Sequence, residues 1–201
     1  MLPAQGYARK ESKLNAVFEP YGLKVRQDYL TRCFRPAVMG APVPIEYVPG
    51  MPAKQHDAQE LNSHILDTLI QSRQAAAFPA ACLLEPVKPS KADYKSTPIL
   101  QSVPFKSREV DLLCWADPAG LAEMRKAPGA DSLEGPVTLA ALSEPAAKEK
   151  RHAGARILVL AGSSAAMNRY LPTYPQNALL LLASLRWVAG EDELVSEIPP
   201  R

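Results

Sequence analysis

Two nearly continuous apolar runs, Val137 to Leu142 and Ile157 to Ala161, constrain the fold of this chain more than any other feature. A strand that is apolar on both faces must be covered on both faces, so each run belongs in the interior of a sheet. The segment between them, Ser143 to Ala155, is polar and contains Pro145 and Gly154, which favours an antiparallel return over a helical crossover. Twenty prolines set the opposite kind of limit. They gather in Arg35 to Pro52 and in Glu85 to Pro104, and because proline cannot donate to a central ladder, both stretches read as loops or sheet edges.

Ser12 to Glu19 carries Leu14, Val17 and Phe18 at helical spacing behind a serine in a capping position, and Pro20 with Gly22 stops the short helix this predicts. Leu23 to Tyr29 alternates Leu23, Val25, Gln27 and Tyr29 with Lys24, Arg26 and Asp28, the pattern of a strand with one wet face. Pro44 to Val48 reads as an edge strand. Asp57 with Glu60 resembles a capping box, after which Leu61, Ile65, Leu66, Leu69 and Ile70 share one helical face over about 58–74. Ala80 to Leu84 and Val110 to Trp115 are short apolar runs expected as strands, and Pro118 to Arg125 is expected as a short helix. Ala178 to Ala189 is apolar nearly all round, with Asn177 as its cap and Gly190 as its stop. This helix is expected to be deeply buried, so that Leu181→Asp or Leu185→Asp would prevent folding.

At 201 residues the chain suits one domain with a substantial core. With 47% apolar and 22% charged residues it resembles neither a disordered nor a fibrous sequence. The net charge is +2, and the one dense basic cluster, Lys148, Lys150 and Arg151 with His152, reads as a solvated loop, so no nucleic-acid partner is expected. Cys33, Cys82 and Cys114 show no CxxC spacing, which points to a reduced or disulfide-poor history. No stretch reaches the roughly 18 apolar residues of a membrane span, and the segment is expected to be soluble as given.

Gly162-Ser163-Ser164-Ala165-Ala166 follows an apolar strand and imitates a nucleophile elbow. Its closing glycine is alanine, and His56, His64 and His152 all precede Ser164, whereas the hydrolase order places the histidine last. The turn therefore reads as one whose hydroxyls satisfy local backbone groups. His56, Asp57, Glu60 and His64 make a conceivable metal set, but acidic residues at a helix start are explained by the helix terminus itself, so no metal is assigned. Trp187 reads as core, and Trp115, beside Asp117 at a strand end, is open between core and a stacking surface. There is no glycine-rich phosphate cradle and no cofactor is assigned.

The closing segments, Ala-Arg-Ile-Leu-Val-Leu-Ala-Gly-Ser-Ser, then Asn177 through Trp187-Val188-Ala189-Gly190, then Leu194-Val195-Ser196-Glu197-Ile198-Pro199, resemble the end of the gliding-motility-type ABC transporter auxiliary family. In that family an apolar strand ends in a Gly-Asp-Ser-like turn, an asparagine opens a helix closing on Trp-Leu-Ala-Gly, and a last strand follows. Upstream, Leu14-Asn15 through Tyr21-Gly22-Leu23-Lys24-Val25 looks like the family's Tyr-Gly-Ile-x-Val segment. His64-Ile65, Phe78-Pro79 and Gly135-Pro136 match further motifs in order, so the resemblance spans Leu14 to Pro199. Ser163 and Ala165 stand where acidic residues are expected around the turn, and the proline after His64 is absent.

The resemblance implies an α/β fold, a mixed and largely buried sheet with flanking helices, flavodoxin-like or amidotransferase-like and incomplete at the N-terminus. It implies a single auxiliary domain over 1–201, a piece of a longer membrane-anchored protein on the extracytoplasmic face of a bacterial inner membrane. Its partners would be an ABC transporter permease or other envelope-complex subunits, and the domain itself would be a non-enzymatic accessory or binding module. By analogy with ligand sites beyond strand ends, Ser163, Ser164 and Asn168 are the ligand-binding candidates. Two alternatives stand beside this. One is a hydrolase or amidotransferase-like enzyme using Ser164 or Cys82; the other is a cytoplasmic scaffold similar to an intraflagellar-transport component.

Overall fold

The computed structural model describes residues 13–37, 39–53, 75–106, 111–122, 125–147 and 154–190. The helix expected over 58–74, the three histidines, the basic run at 148–152 and the segment after Gly190 lie outside these residues. Asn15–Phe18 makes one helical turn, α1, and Glu19–Tyr21 tightens into a 3-10 turn. Gly22 ends it at φ 83°, where a Cβ would also stand 2.9 Å from the Val87 carbonyl oxygen, so glycine is required twice over. Among the described residues ten strands follow: β1 Leu23–Arg35, β2 Val43–Pro44, β3 Val48–Pro52, β4 Ala76–Phe78, β5 Ala81–Pro86, β6 Tyr94–Ser102, β7 Leu113–Pro118, β8 Leu133–Glu134, β9 Thr138–Pro145 and β10 Ile157–Leu160. A 3-10 turn at Ser163–Ala166 then leads to helix α2, Pro175–Ala189.

The strands form one sheet in the order β4-β3-β6-β9-β5-β1-β7-β8, with β10 also beside β9 and β2 beside β1. Every described pairing is antiparallel. The protein is thus α/β only in the broad sense, strand-dominated with few helices. A flavodoxin-like or amidotransferase-like sheet is built on parallel strands, and among the described residues no parallel pair occurs, so that finer expectation is not borne out. β8 runs within four residues into β9, which brings the end of the strand order back to its middle. There the Gly135 amide donates to the Cys114 carbonyl (3.2 Å) and the Ser102 amide to the Val137 carbonyl (2.8 Å), so the sheet coils around its own core.

Val137 to Leu142 sits as expected, whereas Ile157 to Ala161 is not a central strand: among the described residues β10 pairs with β9 alone, and Ile157, Leu158 and Leu160 are only half-buried. β9 is buried along its whole length, and β10 returns antiparallel beside it, Leu158 opposite Leu142 and Leu160 opposite Ala140. Leu23, Leu84, Ile99, Leu100, Leu139 and Leu142 fill the core that β9 crosses. Proline proved a poor guide to edges in two places, the first being β3, which carries Pro49 and Pro52 yet lies between β4 and β6. β6 lies between β3 and β9 although it contains Pro98, and the register slips between Pro98 and Leu100, so the missing N–H falls at an irregularity in the ladder. Among the described residues of Pro118 to Arg125 the expected helix is not found: Pro118 ends β7, and turns follow in which the Ala122 N–H donates to the Pro118 carbonyl (3.1 Å) and the Arg125 N–H to the Leu121 carbonyl (3.2 Å).

α2 is less buried than its composition suggests. Asn177, Leu180, Ser184 and Trp187 form the inward stripe, while Leu179, Leu182, Leu185 and Val188 are 42 to 67% exposed among the described residues. One helical face is enough to close this core, and the leucines outside that stripe are not consumed by it. We expect Leu180→Asp to abolish folding, because it buries an unpaired charge, whereas Leu185→Asp should change stability by less than about 0.5 kcal/mol. Thermal melts of both variants check this, and a collapse of Leu185→Asp would mean that its face is covered.

Asn177 is not the helix cap. Pro175 occupies the first helical turn, and the Asn177 side chain, fully buried, instead accepts from the Ala77 amide (2.8 Å) and donates to the carbonyls of Ala77 (2.7 Å) and Ala165 (3.1 Å). Ala77 thereby turns its polar groups away from β3, which asks no N–H of Pro49 opposite it. Asn15 does the same to Val25 at the start of β1, accepting its amide at 2.8 Å and donating to its carbonyl at 3.2 Å. Cys33 and Cys114 are directly opposed on β1 and β7 and form a disulfide, both residues being fully buried. The disulfide-poor expectation is corrected, since a partner 81 residues away is set by strand register and not by spacing.

Candidate functional site

The turn after β10 was the expected ligand site, and its residues divide. Ser163 and Asn168 are exposed, whereas Ser164 is drawn inward. Its hydroxyl accepts from the Ala80 amide and donates to the Ala80 carbonyl oxygen, each at 3.2 Å. A Cβ on Gly162 would fall 2.0 Å from the same carbonyl oxygen, so the chain crosses Ala80 too closely for any other residue. Ala165 is buried and its carbonyl receives Asn177, which ties the turn, β4 and α2 into one joint. The reading of the serines as satisfying local backbone groups holds for Ser164. A hydroxyl committed on both sides to the main chain is badly placed to attack a substrate.

Cys82 joins the same region. Its thiol donates to the Ala161 carbonyl at 2.8 Å, and burial pushes it up from an ordinary 9.0 to about 11. A nucleophilic cysteine needs the opposite shift. At neutral pH the thiolate fraction falls about a hundredfold for a shift of this size, so we expect iodoacetamide to label native Cys82 on the order of a hundred times more slowly than in the unfolded chain. Mass spectrometry of timed aliquots checks this, and rapid stoichiometric labelling would count against a buried thiol.

Trp115 is a core residue. It is fully buried, stacks on Phe34 with ring centres 4.5 Å apart, and donates from Nε1 to the Asp117 carboxylate at 2.6 Å. Asp117, also fully buried, accepts from Ser132 and from Arg125 (3.2 Å), so its charge is compensated by three donors. This network pins the turn around 129–132 to β7. No face of the Trp115 ring is left for a sugar or other flat ligand. Trp187 is buried beneath Arg156, whose guanidinium lies 5.4 Å from the ring centre, in agreement with the core reading.

The structure adds a site that sequence reasoning missed. A cavity of about 520 Å³ opens between α1 and the connection from β5 to β6, lined by Glu19, Lys24, Val87, Lys88 and Ser90 among others. Lys24 Nζ stands 3.5 Å from Glu19 Oε1, yet that oxygen is buried and accepts no hydrogen bond. Residues 19–24 and 87–90 are far apart in sequence, and no spacing rule would have joined them. Of the described helices, none is long and apolar enough to cross a membrane. No family model matches the chain, and neither a curated protein nor a solved structure shows significant similarity to it.

Proposed function

We propose that this chain is a non-enzymatic accessory or binding domain of an envelope ABC-type transport complex, contacting the permease or another membrane subunit. The observation that carries the non-enzymatic half is the joint below β10, where Ser164 is held by the Ala80 backbone and Cys82 by the Ala161 carbonyl. Both nucleophiles that an enzyme reading needs are spent there on the main chain. An extracytoplasmic setting is supported by the buried Cys33–Cys114 disulfide, since such bonds persist where the surroundings are oxidising. The partner class rests on the ordered resemblance from Leu14 to Pro199. The contact surface we assign to the permease is the outer row of α2, Leu179, Leu182 and Leu185, because it lies within the segment that carries the resemblance and the core does not use it.

The test is co-expression with an ABC permease and ATPase from the same genome, followed by purification through the permease. Wild-type chain should co-purify, and Leu182→Glu with Leu185→Glu should lose that association while melting like wild type. Equal recovery of the double variant would remove α2 as the contact, and absence of any permease association would sink the transport reading. Turnover of esters or amides above a Ser164→Ala, Cys82→Ala control would favour the hydrolase alternative.

A further inference from the structure

We propose that the tip of the β1–β2 hairpin is a membrane-contact finger, which seats itself in the interfacial layer of an anionic lipid bilayer. From Pro36 to Ile45 the sequence Pro-Ala-Val-Met-Gly-Ala-Pro-Val-Pro-Ile contains no charged residue and no polar side chain. Arg35 lies opposite Val43 and Phe34 opposite Pro44, and the Ile45 N–H donates to the Cys33 carbonyl at 3.0 Å. This register makes 36–42 the loop and holds its base in the ladder. A comparable apolar run, β9, is buried along its whole length, whereas here Met39 is 91% exposed and Val43 58%, with Gly40, Ala41 and Pro44 exposed beside them. Single exposed apolar residues are ordinary, but an uncharged loop at a hairpin tip offers continuous apolar surface with no polar side chain to hold it in water.

The main chain is the usual obstacle to moving a loop out of water, because each unpaired N–H or C=O taken along costs free energy. Pro36, Pro42 and Pro44 have no N–H, and the Ile45 N–H is already spent on Cys33, so the finger carries few donors to strand. A protein partner would be fixed in orientation by polar groups, and the side chains of this loop offer none. On either flank the chemistry changes to that of a headgroup layer. Arg35 is exposed and makes no ion pair among the described residues. Beyond Ile45, Tyr47 rests on Tyr174 with ring centres 5.1 Å apart, Tyr174 lies 6.4 Å from Tyr170, and the exposed Arg169 places its guanidinium 4.6 Å from the Tyr170 ring centre. Half-buried tyrosines and exposed arginines are the groups that settle at a membrane–water boundary, the cations against phosphate. Against Arg35 and Arg169 stands Glu46, which leaves these flanks net positive. The finger uses none of the α2 leucines assigned to the permease and does not rest on that reading.

The experiment is co-sedimentation of the whole chain with large unilamellar vesicles of phosphatidylglycerol and phosphatidylethanolamine, and with vesicles of phosphatidylcholine alone. The wild-type chain should pellet with the first and bind the second about fivefold more weakly, the effect of one net cation at an anionic surface. Met39→Ser with Val43→Ser, both at exposed positions, should lower vesicle binding about tenfold or more without altering the melt. Arg35→Gln should narrow the difference between the two vesicle types. Leu182→Glu with Leu185→Glu should pellet like wild type. The proposal is overturned if the wild-type chain stays in the supernatant with both vesicles, if the Met39 and Val43 variant pellets as well as wild type, or if only the α2 variant loses binding. It is equally overturned if the Met39 and Val43 variant loses the permease while vesicle binding is unchanged, since the finger is then a protein contact.

Discussion

Asn177→Leu is expected to leave the protein largely unfolded at room temperature. The substitution keeps the side-chain volume close and raises apolarity, so a reading based on helix composition would call it mild. It strips partners from three buried main-chain groups, the Ala77 amide, the Ala77 carbonyl and the Ala165 carbonyl. Each buried group left unpaired costs about 1–3 kcal/mol, and a domain holds only about 5–15 kcal/mol in all. Loss of the joint also frees the turn at 163–166 and the outer edge of β4 together, so the losses reinforce one another. Urea titration followed by circular dichroism checks this. A midpoint within experimental error of wild type would show that α2 is not fastened to β4 through this amide. Asn15→Leu should be milder, because its side chain serves two groups at the end of a helix only one turn long.

Removing the disulfide should produce the second large effect. Cys33 and Cys114 close a loop with a sequence separation of 81, for which loop-closure entropy alone amounts to about 4.5 kcal/mol. Cys33→Ala with Cys114→Ala adds the loss of two buried sulfurs from the core. At roughly 2–4 °C per kcal/mol for a chain of this size, the midpoint should fall by about 10 °C or more. Scanning calorimetry with and without a strong reductant checks the same quantity on the wild-type chain. Coincident melts would mean that the bond is not formed in solution. The cross-strand setting matters for the outcome, since β1 and β7 are also held by a ladder from Tyr29 to Phe34, and the reduced protein should retain that pairing below its lower midpoint.

What the sequence disclosed follows a physical line. Val137 to Leu142 and Ile157 to Ala161 could be placed as strands because their apolarity is written into consecutive residues, and paired antiparallel because the short segment between them is polar and carries Pro145 and Gly154. The stop of α2 at Gly190, at φ 78°, was equally local. The direction of the remaining strands was not local, and the mixed sheet suggested by resemblance gave way to one whose described pairings are all antiparallel. Asn177 looked like a cap because its true partner, Ala77, is 100 residues away. The cysteines failed for the same reason. Leu185 misled in another way: apolarity is legible residue by residue, but which side of a helix the core needs depends on how much sheet there is to cover. The cavity at Glu19, Lys24 and Lys88 depends on two loops meeting, and no pattern in either announces it.

The two asparagine amides have a consequence for how copies of this protein behave toward one another. An amide side chain that offers one acceptor and two donors to a single residue's N–H and C=O reproduces the contact that a neighbouring strand would make. Asn177 does this on the outer side of β4, the last strand in the order, and Asn15 does it along β1 before β7 begins to pair. Unpaired strand margins are the places where folded molecules add to each other and grow into fibrils. Here each margin is plugged at one residue by a group too short to be extended by a second molecule. The protein can therefore be kept concentrated without recruiting its own kind through these positions, a protection that costs it two side chains and no added strand.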